Sequence, residues 1–553
     1  MTHEVFNQPP PLVDYDLFGE DAALVEGVEC FDAGWARKSL HALGRLAGTE
    51  EAMRWGSEAN ANAPVLRTHD RFGHRVDEVE FHPSWHRLME TAVAHGLHAS
   101  SWREPGPGAH VARAAAFAVW SQVESGHGCP ISMTHAAVPA LRVQPSLAEI
   151  WEPRFTSLTY DPDLRAPQQK SGALCGMAMT EKQGGSDVRA NTTKAQPAPR
   201  SGPGAEYRLT GHKWFCSAPM CDAFLVLAQA PGGLSCFLLP RVLPDGTRNA
   251  FRIQRLKEKL GNRSNASSEV EFEDAAAWLI GEEGRGVQTI IEMVNHTRLD
   301  CIIGSAALMR QALAQAAHHA AHRAAFGKRL IEQPLMRDVL ADLALESEAA
   351  TWLMLRLAAS CDRAVDQEQE AAFKRVATAV GKFWVCKRAP AHIYEALECL
   401  GGNGYVEESI LPRLYREAPV NAVWEGSGNV IALDVLRALN KEPETLAAFI
   451  AELREAAGAN GCLDAAIARL EHDLVNRHDM ETRARRVIEQ MALTLQAALL
   501  VRHAPAAVAD AFCTSRLGGD WGRTFGTLPH GLGYETILER ARPKSPALSL
   551  RPS

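Results

Sequence analysis

The sequence lacks any apolar run of about 18 residues, so no segment predicts a membrane-spanning helix. It also lacks, at Met1–Gln8, the basic region and apolar stretch that mark a secretion signal. Its twelve cysteines show no CxxC spacing and no disulfide-like rhythm, which favours reduced, mostly buried thiols in a cytoplasmic protein. Positive charge is in deficit: the formal net charge is −8, which removes any global reason to expect nucleic-acid binding.

What is present is an ordinary globular composition, 46% hydrophobic and 22% charged. The 553 residues exceed one simple core, so roughly three or four domains are expected. The changes in pattern predict an α+β protein with four parts. They are a helical domain at 1–175, a β domain at 176–285, a helical bundle at 286–440 and a further helical domain at 441–553.

Local patterns support this division. A helix is expected from Ala109 to Glu124, and the polar, turn-rich stretch at 60–80 predicts a long loop. Pro231–Gly233 joins two β-prone apolar runs as a hairpin would, within a small antiparallel sheet. Apolar residues at three- and four-residue spacing predict bundle helices at 304–325 and 333–359. After residue 441, helices are predicted near 444–457, 462–476, 480–502 and 505–517, followed by a Gly/Pro-rich tail.

The segment Trp424–Asn429 combines a carboxylate, a large aromatic ring and a glycine turn ahead of an apolar helical run. Glycine permits close approach of backbone to a ligand, and N–H groups of Gly428 and Asn429 can face an anion where the next helix begins. An aromatic wall excludes water and raises the basicity of a carboxylate that removes a proton from carbon. The alternative is a helix start after a surface loop, and the segment alone does not decide between them.

Four other segments suit a flavin dinucleotide, and each has a plainer explanation. Met179–Asp187 offers glycines and hydroxyls, or is a polar turn. Lys213–Ser217 offers an indole that could stack on a flavin and a hydroxyl that could hydrogen-bond to the edge of the flavin ring. The plainer explanation is an aromatic core strand. Arg323–Arg329 with Gln333 offers a bidentate phosphate donor, or is a helix end. Leu400–Tyr405 has three glycines within four residues, or is an interhelical turn.

Together and in this order, these segments resemble the acyl-CoA dehydrogenase family. That family has a TE-x-x-x-GSD segment, a tryptophan segment, an R-x-x-FG segment, a GG-x-G segment and an EGS-type segment in the same sequence. The match covers roughly residues 100–440. The chain looks most like the AidB branch, flavoproteins associated with the adaptive response to DNA alkylation. This closer match rests on Asn7–Pro9, Phe81–His86, Met179–Asp187, Gly261–Asn265 and Trp424–Asn429.

The resemblance implies an acyl-CoA dehydrogenase-like α+β fold: an N-terminal helical domain, a central antiparallel β domain, a C-terminal four-helix bundle and, in this branch, an extra helical C-terminal domain. It also implies FAD, bound between the β domain and the bundle. The flavin ring and ribityl chain correspond to Met179, Thr180, Gly185, Ser186, Trp214 and Ser217. The pyrophosphate and adenosine correspond to Arg323, Gln333, Gly401, Gly402 and Asn429, partly across a subunit interface. An oligomer follows, usually a homotetramer.

The same resemblance assigns Glu425 as the base that takes the α-proton of an acyl thioester, and Arg298 to the substrate region. The chain also departs from the family. Trp424 replaces a smaller neighbour of the base and should narrow the acyl pocket, which favours a small acyl-CoA. Lys182-Gln183-Gly184 replaces the Pro-x-Ala of ordinary dehydrogenases. Glu398 replaces a common Gln, so the adenosine contact at that position is in question.

The AidB resemblance further implies binding of double-stranded DNA and protection from, or removal of, an alkylating agent. Residues 441–553 carry fourteen basic and fourteen acidic residues, so this domain is neutral, whereas phosphate binding needs clustered positive charge. The candidate DNA residues are Arg437, Arg483, Arg485, Arg486 and Arg516, with Arg502 possible only if it lies nearby. The alternative is a helix with a solvated basic face.

Histidine groups at 318–322 and 86–98 are interpreted as structural, because no converging carboxylates or cysteines point to a metal. Three functions therefore stay open. The first is an FAD enzyme that dehydrogenates a small, short or branched acyl-CoA. The second is a flavoprotein that mainly binds DNA or inactivates alkylating agents, with weak dehydrogenase activity. The third is a structural oligomer that keeps a vestigial flavin.

Overall fold

Residues 2–475 and 478–544 are described by the computed structural model of this chain. Helices lie at α1 Ala22–Cys30, α2 Arg37–Ala47, α3 Glu50–Ala61, α4 Pro83–Ala94, α5 Ser100–Arg103, α6 Ala109–Ser121, α7 Gly128–Arg142, α8 Pro145–Phe155, α9 Gly286–His322, α10 Pro334–Arg363, α11 Glu368–Glu398, α12 Gly402–Tyr405, α13 Leu411–Glu417, α14 Gly428–Lys441, α15 Pro443–Arg454, α16 Gly461–Val475, α17 Met480–His503, α18 Ala506–Phe512 and α19 Tyr534–Ala541. Strands lie at β1 Val65–His69, β2 Arg75–Glu80, β3 Cys175–Ala178, β4 Lys194–Pro197, β5 Glu206–Ser217, β6 Ala223–Ala230, β7 Gly233–Pro240, β8 Phe251–Leu256, β9 Ser267–Ile280, β10 Ala324–Ala325 and β11 Lys328–Arg329.

The chain divides into two compact units, each built from separate stretches of sequence. The first contains the described parts of Met1–Met53, Gly106–Val123 and Arg298–Ser553, and the second contains Arg54–Pro105 and Glu124–Thr297. Each unit combines pieces of several of the four predicted domains, so those domain boundaries stay a prediction.

A seven-stranded sheet dominates the second unit. Its order is β3-β6-β4-β5-β9-β7, with β8 paired to β9, and a further β6–β7 pairing closes five of the strands into a ring. The hairpin predicted at Pro231–Gly233 is confirmed, because β6 and β7 pair antiparallel from Ala223 opposite Pro240 to Ala230 opposite Gly233. Most pairs are antiparallel as predicted, although β3 runs parallel to β6.

The long loop predicted at 60–80 is wrong, because β1 and β2 form an antiparallel hairpin there. Its polar side chains have partners that are distant in sequence. Arg75 donates to Asp77 at 2.8 Å and to the Ile253 carbonyl at 3.1 Å, and Arg241 donates to the Asp77 carbonyl at 2.7 Å. Part of the polarity in this stretch therefore reflects pairing around the buried Asp77, although most of residues 61–75 are exposed.

Long helices form the first unit. The bundle helices predicted at 304–325 and 333–359 are found as the C-terminal part of α9 and as α10, and the helix predicted at 109–124 is α6. α10 packs against α6, α11 and α17, and α11 packs against α14, α15 and α17. No helix among the described residues is both long and apolar enough to cross a bilayer.

The helices predicted after residue 441 are found as α15 to α18, with residue 476 of one prediction outside the described residues. The Gly/Pro-rich tail that follows them includes α19 at Tyr534–Ala541. Helix α17 contributes a continuous buried stretch, Met491 to Leu500, to the core of the first unit. The C-terminal segment is therefore packed into the bundle through an apolar helix face.

Candidate active site

The turn that carries Glu425 has an unusual backbone. Glu425 has φ of 57° and Gly426 has φ of 103°, so two consecutive residues lie in the left-handed region. A glutamate rarely adopts this conformation, which costs of order 1–3 kcal/mol and persists only where the surroundings enforce it. Such strain is concentrated at functional sites, so the turn is the first candidate for one.

Two buried cations enforce this turn through its carbonyl groups. The Lys382 ammonium, 1% exposed, donates to the Trp424 carbonyl at 2.8 Å and also to the Gly426 carbonyl. Arg298 Nε donates to the Glu425 carbonyl at 3.0 Å. Three consecutive carbonyls are thereby fixed by charged donors, which form stronger hydrogen bonds than neutral ones.

Arg298 is itself fixed by a carboxylate. Its Nη1 lies 2.7 Å from Asp434 on α14, and Arg375 lies 2.9 Å from the other oxygen of Asp434. Burial alone would raise the pKa of Asp434, but Arg298 and Arg375 lower it below its usual range. The placement of Arg298 in the substrate region stays a prediction. Its buried guanidinium contacts Asp434 and the Glu425 carbonyl, which suits a residue that positions Glu425.

Trp424 is half-buried, and hydrogen bonds fix its indole. Its Nε1 donates to Asn421 Oδ1 at 3.2 Å, and Asn421 Nδ2 donates to Ser305 Oγ at 3.1 Å. Burial raises the pKa of the Cys301 thiol, Lys382 lowers it, and Cys386 and Glu425 raise it. The predicted base therefore directly follows an indole that hydrogen bonds hold in place.

A conservative change at Arg298 tests the positioning role. Arg298→Lys keeps a positive charge near Asp434 but removes the planar fork that reaches the Glu425 carbonyl. A base displaced by about 1 Å can lose about 100-fold in rate, so turnover should fall about 10- to 100-fold while FAD content stays constant. The measurement is steady-state dehydrogenase activity per bound flavin. Arg375→Lys is the matched control, because Arg375 hydrogen-bonds to the same carboxylate, Asp434. Equal losses in both variants would refute the positioning role.

The second unit holds the predicted flavin-ring residues around one buried ion pair. Glu181 and Lys213, both fully buried, lie 2.9 Å apart. Glu181 also accepts hydrogen bonds from the backbone N–H groups of Thr192 at 2.7 Å and Thr193 at 3.1 Å. Burial alone would raise the pKa of Glu181, but these donors and Lys213 lower it well below its usual range. Glu181 thus remains a carboxylate that fixes the Met179–Asp187 loop.

Within that loop the candidate residues are close together. The Trp214 backbone N–H donates to the Thr180 carbonyl at 2.8 Å. A Cβ on Gly185 would lie 2.4 Å from the Thr180 hydroxyl, so only glycine fits beside Thr180. Met179 and Thr180 are half-buried, and Ser186 is exposed. The loop therefore presents backbone and hydroxyl groups beside the indole.

Cations surround the Trp214 ring. Lys257 Nζ lies 3.5 Å from the ring centroid, and Lys182 and Arg255 lie at 5.7 and 5.8 Å. Glu269 is 2.7 Å from both Lys257 and Arg255, so it offsets part of this charge. Ser217 Oγ, at the end of the same strand, lies 3.4 Å from Ser267 Oγ. The half-buried indole thus lies in a positive environment, which favours a ligand that becomes negative.

The predicted pyrophosphate and adenosine residues of the first unit lie in turns. Arg323 directly follows α9 and donates to the Asn7 carbonyl, and Gln333 donates to the Ala325 carbonyl at 3.1 Å. Gly401 has φ of 60° and precedes the short α12, which begins at Gly402. A Cβ on either glycine would have no described atom within 4 Å. Backbone at both glycines is therefore open to a ligand.

The candidate DNA residues have different environments. Arg437, Arg485 and Arg486 are exposed, and Arg483 lies 3.8 Å from Asp473. Arg516 corrects the prediction: its side chain is fully buried and contacts Asp342 and, at 3.1 Å, Glu346. A buried guanidinium between two carboxylates cannot act as a surface phosphate ligand.

Sequence reasoning missed Lys382, Lys387 and Asp434, which surround the base turn. One signal was available, because Lys382 interrupts the apolar run Val380–Val385 of a predicted bundle helix. A lysine on a buried helix face needs acceptors. Its partners could not be named, since the Trp424 and Gly426 carbonyls are more than 40 residues away.

Family models match three stretches of the chain. The AidB N-terminal domain model matches residues 7–162, the acyl-CoA dehydrogenase middle domain matches 176–275, and the acyl-CoA dehydrogenase C-terminal domain matches 284–440. With the helical and β elements described above, these matches define an acyl-CoA dehydrogenase-type fold. The predicted fold class is confirmed.

Individual relatives narrow the assignment. AidB of Escherichia coli (strain K12) is 48% identical over 93% of this chain and 94% of its own length. Acyl-CoA dehydrogenase family member 11 of Caenorhabditis elegans is 30% identical over 82% of this chain and 78% of its own. The chain therefore belongs to the AidB branch of the acyl-CoA dehydrogenase family, whose members are FAD-dependent oxidoreductases, as the sequence motifs predicted.

Solved structures agree with this assignment. Caenorhabditis elegans ACDH-11 in complex with C11-CoA superposes with a TM-score of 0.85 at 26% identity, covering 93% of both chains. An acyl-CoA dehydrogenase from Bacillus anthracis complexed with FAD gives a TM-score of 0.63 at 18% identity, covering 78% of this chain and 80% of that one. This second likeness concerns the fold alone.

Proposed function

We propose that this protein dehydrogenates a small acyl-CoA with Glu425 as the base. The observation that carries the proposal is the turn in which Lys382 and Arg298 fix a left-handed Glu425 beside a fixed indole. In the proposed reaction the Glu425 carboxylate takes the α-proton of the acyl thioester. A positioned carboxylate is the kind of group that general-base removal of such a proton needs.

FAD fits the residues that the family assigns to it. The half-buried Trp214, the fixed Met179–Asp187 loop and Ser217 suit the flavin ring, and the open backbone at Gly401 and Gly402 suits the dinucleotide. When bound, FAD would accept the β-hydrogen as a hydride while the Cα–Cβ double bond forms. The cations around Trp214 would favour the added negative charge.

Trp424 supports a small acyl chain as the substrate. Its indole is fixed through Asn421, so it cannot move aside without the loss of a hydrogen bond. The Caenorhabditis elegans relative was solved with C11-CoA, which shows that this fold can take a longer chain elsewhere in the family. Steady-state turnover with an artificial electron acceptor across a series of acyl-CoAs tests the proposal. Turnover should be highest for short or branched chains.

Removal of the Trp424 indole should let the enzyme accept longer acyl chains. Trp424→Ala is expected to raise kcat/KM for medium-chain acyl-CoA by about tenfold or more, because one methylene in an apolar pocket is worth about 1–3 kcal/mol. Trp424→Phe, which keeps a large ring, is the control and should preserve the short-chain preference. An unchanged chain-length profile in the alanine variant would show that Trp424 does not limit the pocket.

The proposal includes a homo-oligomer, a tetramer by family analogy, and a cytoplasmic location. Exposed aromatic residues support association: Phe326 is 100% exposed, Tyr405 79% and Tyr394 50%. All twelve cysteines are free thiols, which suits a reducing compartment. Light scattering of the purified protein would give the assembly size.

Duplex DNA binding, with protection from or removal of alkylating agents, is a second candidate function. Exposed Arg437 and Arg486 support it, together with the adaptive-response family match. The buried Arg516 does not support it. Gel shifts across a salt series test it directly. Arg437→Met and Arg486→Met should each lower the slope of log binding constant against log salt concentration by about one, as expected for the loss of one phosphate contact. A wild-type protein that shows no gel shift at low salt would eliminate this candidate.

A further inference from the structure

An arginine of the C-terminal segment contacts the segment that follows the base. Arg485, on α17, donates from Nη1 to Asn429 Oδ1 at 3.1 Å. Asn429 is the second residue of α14 and lies four positions after Glu425. Helix α17 therefore contributes a charged side chain to the surroundings of the Gly428–Asn429 backbone, although its sequence lies in the extra domain.

A lysine of α11 lies against the same backbone. A Cβ on Gly428 would be 2.6 Å from Lys387 Cε and 2.8 Å from Lys387 Nζ, so glycine is needed for the lysine to lie there. The Lys387 ammonium and the Arg485 guanidinium are 5.4 and 5.8 Å from the centroid of one ring, Phe383. Two cations from different helices thus converge on the start of α14.

This pair has no acidic counter-ion within residues 2–475 and 478–544, in a chain that carries an excess of acidic residues. Five arginines of the first unit that are less exposed than Arg485 have carboxylate partners: Arg298, Arg356, Arg388, Arg502 and Arg516. Partial burial lowers the pKa of Lys387, and Arg485 and Lys382 lower it further. Two like charges are therefore kept close at an electrostatic cost that an external anion would remove.

The backbone beside these cations is also suited to an anion. Ser427 precedes α14 and makes no side-chain capping hydrogen bond, so the first N–H groups of the helix are not satisfied by a cap. Uncapped N–H groups with a helix dipole favour negative charge. Lys387 on α11, Arg485 on α17 and the first N–H groups of α14 thus form one positively charged site, called the corner below.

We propose that Lys387 and Arg485 bind the diphosphate of FAD, so that the C-terminal segment is part of the cofactor site. This rests on the proposed function. A diphosphate carries the two negative charges that this pair lacks, and the arginine fork matches phosphate oxygens. FAD is favoured over a DNA phosphate because both side chains contact the residues directly after the base. Arg485 is thereby reassigned from the candidate DNA surface to the cofactor.

The test compares FAD with riboflavin, which has the same ring and no phosphate. Apoprotein of the full chain is titrated with each ligand, and flavin fluorescence gives both Kd values. Lys387→Gln and Arg485→Met should each weaken FAD binding by roughly 10- to 100-fold, since each loses a charged hydrogen bond, and should leave the riboflavin Kd unchanged. Arg485→Lys should recover part of the FAD affinity. The matched control is Arg486→Met, one residue along α17, with an FAD Kd within about twofold of wild type.

Several results would overturn the proposal. An unchanged FAD Kd in both Lys387→Gln and Arg485→Met would do so, as would equal losses of FAD and riboflavin affinity, which indicate a structural role. A weaker gel shift with duplex DNA in Arg485→Met, with FAD affinity intact, would assign the arginine to DNA. A weaker CoA Kd in the holoenzyme, with FAD affinity intact, would assign the corner to the CoA diphosphate. A wild-type protein that binds no FAD would instead refute the proposed function itself.

Discussion

Glu425→Gln is expected to lower dehydrogenase turnover about 1,000-fold, within the range of about 100- to 10,000-fold for loss of a general base. Glutamine keeps the size and the hydrogen-bonding shape of the side chain but cannot accept the α-proton. The backbone of the turn should survive, because Lys382 and Arg298 hold it through its carbonyl groups. Steady-state turnover per bound flavin is the measurement, with FAD content as the internal control.

Glu425→Asp separates charge from position. The shorter carboxylate remains a base but is displaced by one methylene, so turnover should lie between wild type and Glu425→Gln. If the glutamine variant kept more than about a tenth of wild-type turnover, the proton would be taken by another group, and the role of this turn would be wrong.

Arg516→Met is expected to lower the free energy of unfolding by about 3–5 kcal/mol, the range for removal of one partner from a buried ion pair. Arg516 is fully buried between Asp342 and Glu346. Burial raises the pKa of Asp342 even with Arg516 present. Without Arg516 the carboxylate of Asp342 would be uncompensated, whereas Glu346 keeps Arg388 at 3.1 Å. The shift of the urea midpoint measures the loss.

Two controls belong with this variant. Arg486→Met removes an exposed arginine and should change stability by no more than about 0.5 kcal/mol. Arg516→Met combined with Asp342→Asn should be less unstable than Arg516→Met alone, because the uncompensated charge is gone. The folded pKa of Asp342 lies above its unfolded value, so its ionisation removes stability as the pH rises through the folded pKa. The defect should therefore be smallest at acidic pH. A loss as small as that of Arg486→Met would show that the pair does not stabilise the fold.

Local sequence patterns predicted the elements of this fold well. The hairpin at Pro231–Gly233 and the start of α14 after the glycine turn depend on neighbouring residues, and both are found where expected. The family motifs predicted the AidB branch, which the 48% identity to the Escherichia coli protein confirms. The assignment of individual residues to FAD stays a prediction.

Errors arose where partners are far apart in the sequence. Arginine is usually a surface residue, but the two carboxylates that pair with Arg516 lie on α10, about 170 residues earlier in the chain. The partners of Arg298, the Glu425 carbonyl and Asp434, lie 127 and 136 residues away in the sequence, so its hydrogen bonds could not be predicted. The polar residues at 60–80 suggested a loop instead of a hairpin. Two groups that hydrogen-bond to this stretch, the Ile253 carbonyl and the Arg241 side chain, lie more than 160 residues later in the chain. Long-range pairing of polar groups is what a single sequence does not display.

The central claim is that Glu425 and FAD together oxidise an acyl thioester, and an anaerobic single turnover tests it most directly. The holoenzyme is mixed with one equivalent of a short-chain acyl-CoA, flavin absorbance is followed, and the products are identified by mass spectrometry. The account predicts loss of the oxidised flavin spectrum together with one α,β-unsaturated acyl-CoA per flavin reduced, and neither change in Glu425→Gln. A flavin that stays oxidised with every short, branched and medium-chain acyl-CoA would contradict it.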